Sequence, residues 1–301
     1  MKQALRFLAV FVLAVSVHAQ VVIKLNNSFI NDFKNRATID ATYTVVKTHH
    51  KPNPAAKDGD IHAAGTAPEI GLATVAEIMN AKEKKPAMDA IIAVEGKDKT
   101  VKITGAWRLW PEHAGGTAQV QDATIPPFDT TNPDHVFQIH PISKVNAIDV
   151  RSSFHPIAGF TAKDAENAFT RYENIRCKIM PGAQQTTLMT NMAGFNYVKF
   201  RMDLIDDPVA LSSGDGTAAF ASVSTLDDDL LVRKRRMIFV KGTPPEKAVS
   251  KMHKGDHLVV LGIPRIDLAL VAFRVEHATD QPDVLDWNLP YEIVVVGVFT
   301  N

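Results

Sequence analysis

Seven of the 11 histidines fall between positions 49 and 155: His49, His50, His62, His113, His135, His140 and His155. Imidazole is the commonest transition-metal ligand, and a metal site needs several such groups to converge. His62 and His140 sit in alternating stretches of strand character, while His113 and His135 flank one loop and Glu112 adjoins it. If those stretches are neighbouring strands, His62, Glu112, His113 and His140 form a metal-binding group for a divalent ion such as Zn²⁺, which would activate water. The bland alternative has His62 and His140 bonding backbone carbonyls at strand ends. Neither a His-x-x-x-His helix motif nor a Cys-x-x-Cys knuckle is present, so spacing alone does not impose convergence.

A second chemistry lies in Trp107-Arg108-Leu109-Trp110, which sets a cation among aromatics. Flat side chains at a barrel mouth stack on bases or sugar rings. Trp107 reads as core, and Trp110, just before Pro111, as the exposed ring. Arg108 and Trp110 are therefore the expected ligand-binding residues, for a glycan or a polyanion. Three other features carry less. Cys177 is the only cysteine, so no intrachain disulfide can form, and it reads as a small buried hydrophobe. Arg233-Lys234-Arg235-Arg236 follows Asp227-Asp228-Asp229 directly, which suggests a solvated, self-paired strand edge rather than a nucleic-acid stripe. Ser212-Ser213-Gly214-Asp215-Gly216 is a turn, with neither a nucleophile elbow nor a phosphate loop.

The elements that must position these residues follow from period and punctuation. Residues 39–50, 60–66 and 74–79 read as strands, and 86–94 as a helix opened by Pro86 and ended by Gly96. Strands follow at 101–107 and 135–145, with 112–134 a long loop. Three strands, a helix and two strands is the order of an OB-fold, a small five-stranded barrel. The second half gives a helix at 162–169 and strands at 175–180, 187–204 (broken near Gly194), 217–224 and 232–240. A helix at 244–252 and strands at 257–263, 268–275 and 291–299 complete it. Val101-Lys102-Ile103-Thr104-Gly105 and Leu258-Val259-Val260-Leu261-Gly262 both follow a helix and end in glycine, a hint of repetition. The expectation is a mainly β protein: an OB-like barrel domain over 20–150, then a second β-rich domain over 151–301, either another OB-like barrel or a sandwich.

Asp58-Gly59-Asp60-Ile61-His62, the run from Gly105 to Gly116 and Val136-Phe137-Gln138-Ile139-His140-Pro141-Ile142 together resemble an OB-fold-like domain of exported bacterial proteins of unassigned activity, over residues 39–150. The resemblance implies one small barrel and no particular reaction. Gln138 stands where it would place a glutamate, which removes a carboxylate beside His140. Asp58-Gly59-Asp60 followed by Ala67-Pro68-Glu69 is also similar to the opening of the thermonuclease-type nucleases, exported OB-folds that need arginines against a pentacovalent phosphate. No arginine occurs between Arg36 and Arg108, so that phosphate clamp is missing.

Composition narrows the function. Lys+Arg and Asp+Glu both number 33, which excludes a domain that is cationic all over. A 46% apolar content excludes a charge-swollen disordered chain. Lys2 and Arg6, the apolar run 7–15 and Val17-His18-Ala19 form the three parts of a secretory signal peptide over 1–19, cleaved after Ala19. The protein is thus expected to be secreted or periplasmic, soluble and without a membrane span. The leading expectation is non-catalytic recognition of a glycan or polyanion at the barrel mouth, with the 112–134 loop as lid. The rivals are a metal-assisted hydrolase of phosphodiesters or similar esters, and a structural envelope component. Sequence-specific nucleic-acid binding is not expected.

Overall fold

The computed structural model describes residues 20–277 and 284–299; the signal peptide expected over 1–19 lies outside the described residues. In chain order the first elements are β1 (Gln20–Asn26), α1 (Asn27–Phe33), β2 (Thr38–Thr48), β3 (Ile61–Thr66), β4 (Thr74–Ile78), α2 (Lys85–Ile92), β5 (Thr100–His113), β6 (Gln119–Val120), β7 (His135–Val145) and β8 (Ile148–Asp149). β2 alternates buried and part-exposed side chains along most of its length, as a strand covering a core on one face must. β4 is buried at all five positions, Glu77 included. Antiparallel pairings join β2 to β3, β3 to β4, β2 to β5 and β5 to β7, and a parallel pairing of β4 with β7 closes the barrel. α2 fills the slot between β4 and β5, with Ala87, Met88 and Ile91 turned to the core. This is the five-stranded OB order expected from the sequence.

The chain continues with α3 (Ala165–Asn174), β9 (Arg176–Met180), β10 (Gln185–Asn191), β11 (Val198–Leu204), β12 (Val209–Ala210), β13 (Gly216–Ser224), β14 (Leu230–Val240), α4 (Pro244–Val249), β15 (His257–Ile266), α5 (Leu268–His277), β16 (Leu285–Asn288) and β17 (Tyr291–Phe299). β11, β13, β14, β15 and β17 repeat the first barrel's pairings one for one, including a parallel closure of β14 on β17. Of the two architectures open for this half, the strand order is that of a second OB-like barrel. A third sheet, in the order β16-β9-β10-β1-β6, ties the N-terminal strand to the second half: β1 runs antiparallel to β10, from Gln20 opposite Asn191 to Asn26 opposite Gln185.

Several local expectations are corrected. Residues 268–275 form a helix, not a strand: Asp267 accepts the Leu270 amide at 2.9 Å, and Leu268, Val271 and Ala272 bury one face at helical spacing. The helix expected at 162–169 begins at Ala165, because the Asp164 side chain caps it by accepting the Asn167 amide. β5 runs on past Trp110 to His113, so Glu112 and His113 lie on a strand rather than in the loop. The basic run is not paired with the aspartates before it. Arg233 and Lys234 are exposed, Arg235 meets Glu173 at 2.6 Å, and Arg236 meets Glu292 at 3.2 Å. Cys177 is buried, as expected of a small hydrophobe.

Candidate functional site

The β2–β3 connection and the β5–β7 connection rise on the same side of the first barrel, the mouth at which OB-folds hold ligands. A cleft of about 700 Å³ opens there, walled by Asp58, His62, Glu77, Glu112, His113 and Tyr197 among others. Its floor is set by strand register. His62 on β3 is directly opposite Glu77 on β4, so their side chains share a face. On the other flank Ala76 pairs with Ile139 of β7, and one residue further on in both strands Glu77 and His140 come together. Glu77 is thus held between two imidazoles: its Oε2 lies 3.4 Å from His62 Nε2 and 3.7 Å from His140 Nδ1. Neither nitrogen has a hydrogen-bond partner.

Behind His140 the network continues into the core. His140 Nε2 is 2.7 Å from the Tyr197 hydroxyl, which donates to Asp60 Oδ2. A hydroxyl has one proton. When Asp60 is ionised and takes that proton, the phenol oxygen accepts from His140 Nε2–H, and the lone pair of His140 sits on Nδ1, directed at Glu77. Asp60, Glu77 and His140 offer ligand atoms all within 4.8 Å of one another. Burial pushes the His140 imidazole down to about 4, so it is neutral at physiological pH, as a metal ligand must be. Burial, with the charge of Asp58 added, raises the Asp60 carboxyl well above the usual carboxylate range.

The four expected metal ligands are therefore only partly brought together. His62 and His140 flank one carboxylate, but that carboxylate is Glu77. Glu112 lines the cleft with its oxygen engaged by Arg108 Nη2 at 2.8 Å. His113 also lines the cleft, its ring stacked on His135 at 5.1 Å, outside the convergent group. Glu77, Asp60 and Tyr197 were not among the expected site residues. A glutamate inside the otherwise uncharged stretch Thr74-Val75-Ala76-Glu77-Ile78 is the one signal by which Glu77 could have been found. Nothing in the sequence around Tyr197 marks it.

The expected ligand-binding pair is overturned. Trp110 is 2% exposed, its indole packed edge-to-face with both Tyr172 and Tyr291, so no ring face is open for stacking. Arg108 is 1% exposed and donates to the Pro264 carbonyl, Gln138 and Glu112. Both residues fail as a recognition surface because β5 is covered on its outer face as well as its inner one.

The second barrel supplies an internal control. Arg108 pairs across to Gln138, and Arg265 across to Glu292. Counting along the paired strands from that match, Glu77 corresponds to Ile238, His140 to Val294, His62 to Ala218 and Asp60 to Gly216. An OB-like barrel of this chain closes with aliphatic residues or glycine at all four positions. The acidic and imidazole groups of the first barrel are thus not a requirement of its fold, and burying them unmatched is costly.

Fold and site together define a mainly β, OB-fold-like protein with an acid–imidazole cluster at the mouth of its first barrel. No protein-family model matches the chain, and no curated protein matches it in sequence. Among solved structures it is similar to the wild-type single-stranded DNA binding protein from Thermus aquaticus, with a TM-score of 0.23 and 9% identity over 88% of this chain and 91% of that one. It is also similar to the Ifi202 HINa domain in complex with double-stranded DNA, with a TM-score of 0.17 and 10% identity over 86% of this chain and 99% of that one. Superpositions this loose carry neither ligand nor activity to this chain. Among the described residues no helix is long and apolar enough to cross a membrane.

Proposed function

We propose that the protein holds a divalent transition-metal ion among Asp60, Glu77 and His140, with His62 beside Glu77 on the cleft side, and that it is a metal-assisted hydrolase whose substrate enters the cleft above them. The observation that carries this reading is the convergence of ligand atoms of Asp60, Glu77 and His140 within 4.8 Å of one another, with Asp60 Oδ1 and His140 Nδ1 buried and without hydrogen-bond partners. Acceptors facing one another repel, and a cation between them reverses the sign. Ligand atoms around a tetrahedral Zn²⁺ at ~2.0–2.2 Å stand about 3.3 Å apart, close to the 3.7 Å between Glu77 Oε2 and His140 Nδ1. One imidazole and two carboxylates would leave a fourth position for water, whose pKa such an ion lowers toward neutrality. His62, part-exposed on the cleft side, marks the direction from which water and substrate arrive. With the signal-like segment at 1–19, the reading sets this activity outside the cytoplasm.

Metal content after dialysis against Zn²⁺, and hydrolysis of chromogenic phosphate and carboxylate esters, test the proposal in the full chain. One equivalent of zinc is expected in the wild type, with loss in Glu77→Gln and His140→Ala, and any esterase activity should follow the zinc. A wild-type protein that retains no Zn²⁺, Mn²⁺, Co²⁺ or Fe²⁺ at micromolar concentration would end this reading. Recognition through Trp110 and Arg108 is not carried forward, since both are buried.

A further inference from the structure

We infer that Tyr197 is a positioning residue of this metal site, reaching in from the segment that leads into the second barrel to fix the His140 imidazole with Nδ1 toward Glu77. The inference rests on the metal reading above and adds to it the residue that aims one of its ligands.

Tyr197 immediately precedes β11, the first strand of the second barrel, yet its hydroxyl lies inside the first, between His140 Nε2 and Asp60 Oδ2. Its backbone is bent to allow this. Tyr197 has φ +55° and Phe195 has φ +67°, left-handed conformations that bulky side chains rarely adopt. The Asn196 side chain steadies the turn by accepting the Tyr197 amide at 3.1 Å. The ring is buried, edge-on to His140 at 5.3 Å and packed on Phe160 at 5.6 Å. Those ring contacts would be made equally well by phenylalanine. What the tyrosine adds is a single oxygen, placed where it meets the far nitrogen of His140 and the carboxylate of Asp60.

Metal-binding histidines usually donate their second ring N–H to a carboxylate, carbonyl or water, which fixes tautomer and ring orientation. Here the acceptor is a phenol, itself anchored by Asp60. The second barrel shows that this chain needs no such relay for packing, because Val294 and Gly216 stand at the places of His140 and Asp60. The site is therefore complete only when the first barrel and the segment entering the second are both in place.

Tyr197→Phe tests this, since it keeps the ring and its contacts and removes only the oxygen. Zn²⁺ affinity is measured on the full chain by competition with a chromogenic chelator, and the visible spectrum of the Co²⁺-loaded protein reports ligand geometry. Losing an outer-sphere partner of a metal ligand weakens binding about 10–100-fold. That loss, with shifted Co²⁺ bands and cooperative unfolding retained, is the expected result. Wild-type affinity and an unchanged Co²⁺ spectrum in Tyr197→Phe would overturn the positioning role and leave the metal reading intact. A wild type that binds no metal would overturn both. Should Tyr197→Phe not fold, Asp60→Asn takes its place, because it exchanges the carboxyl group that anchors the phenol for an amide that still offers an acceptor. A folded Asp60→Asn of unchanged affinity counts against the inference in the same way.

Discussion

Arg108 and Arg265 each donate to the carbonyl of the residue preceding the other: Arg108 Nε to Pro264 O at 2.9 Å, Arg265 Nη1 to Trp107 O at 3.0 Å. Both are buried to 1%, and each is paired across its own barrel to a polar residue of the closing strand, Gln138 or Glu292. The two barrels meet through this reciprocal exchange. The charge of Arg108 is met by Glu112, and that of Arg265 by Glu292.

The Glu292 carboxyl makes a pH-dependent contribution that substitution isolates. It is fully buried, and this pushes it up to about 7 despite Arg265 at 2.7 Å and Arg236 at 3.2 Å. Burial outweighs both arginines, and the charge of Asp267 adds to the rise. An acid whose folded pKa exceeds its unfolded value near 4.5 binds more protons when folded, so stability falls as pH rises from about 4.5 to about 7. Relative to Glu292→Gln, the wild type should lose about 1.4 kcal/mol per pH unit across that window. Urea unfolding of both proteins at pH 5 and 7.5 measures it, and parallel curves would show that the carboxylate is ionised throughout.

His135 should have the opposite sign. Its imidazole is buried, and burial pushes it down to about 3, although Nδ1 donates to the Pro133 carbonyl at 2.7 Å. Folded His135 stays neutral while the unfolded residue protonates below about 6.5, so stability is lost as pH falls from 6.5 toward 3. Asn at this position keeps a donor for Pro133 and does not titrate. Between pH 7.5 and 5.5 the wild type is expected to lose about 1.4 kcal/mol more than His135→Asn. Equal losses in chemical denaturation would contradict the assignment.

Gly105 and Gly262 occupy matching places, three residues before Arg108 and Arg265. A Cβ on Gly105 would lie 2.6 Å from Ile139 Cγ2 and 2.7 Å from the Pro141 carbonyl oxygen; one on Gly262 would lie 2.5 Å from Ile293 Cγ2 and 2.8 Å from the Phe200 ring. Each barrel brings its fifth strand against its fourth at this point. Gly105→Ala and Gly262→Ala should each lower stability by about 1–3 kcal/mol, with Gly105→Ala the worse because backbone cannot yield as a ring can. Thermal unfolding that leaves either variant at the wild-type midpoint would refute the close approach there.

Trp110 is expected to behave as a core residue. Trp110→Ala should destabilise by about 3–5 kcal/mol. Trp110→Phe should cost less, since the indole N–H is buried without an acceptor and its removal relieves that group. Quenching by acrylamide distinguishes the two roles directly: a buried indole is shielded from it, and ready quenching of a Trp107→Phe, Trp287→Phe protein, in which Trp110 is the remaining tryptophan, would restore the exposed reading.

Much of the fold is written in local pattern. The strands expected at 39–50, 60–66, 74–79 and 135–145 and the helix at 86–94 recur as β2, β3, β4, β7 and α2 within a few residues. A strand with one face on a core records that fact in its own alternation, and Pro86 and Gly96 record the ends of the helical stretch. Local pattern does not separate the helix α5 from a strand, because Leu, Val and Ala fill either element, and the deciding residue is its cap, Asp267. The site was half legible: His62 and His140 were singled out by residue type, while Glu77 passed as part of a buried strand and Tyr197 carried no mark.

Sequence by itself determined the barrel, because hydrophobic period is a property of neighbours along one strand. It also supplied the imidazoles. Only the tertiary structure decided what those imidazoles face and whether β5 has a free side. From Ala106 to Pro111 every residue of β5 is buried, one face on its own barrel and the other toward the second, where Arg108 meets Pro264. A strand covered on both faces loses the alternation that tells inside from outside, so Trp110 and Arg108 look from the sequence like a mouth and are in fact a seam. What meets the outer face of a strand is set by residues far along the chain, and no local period encodes them.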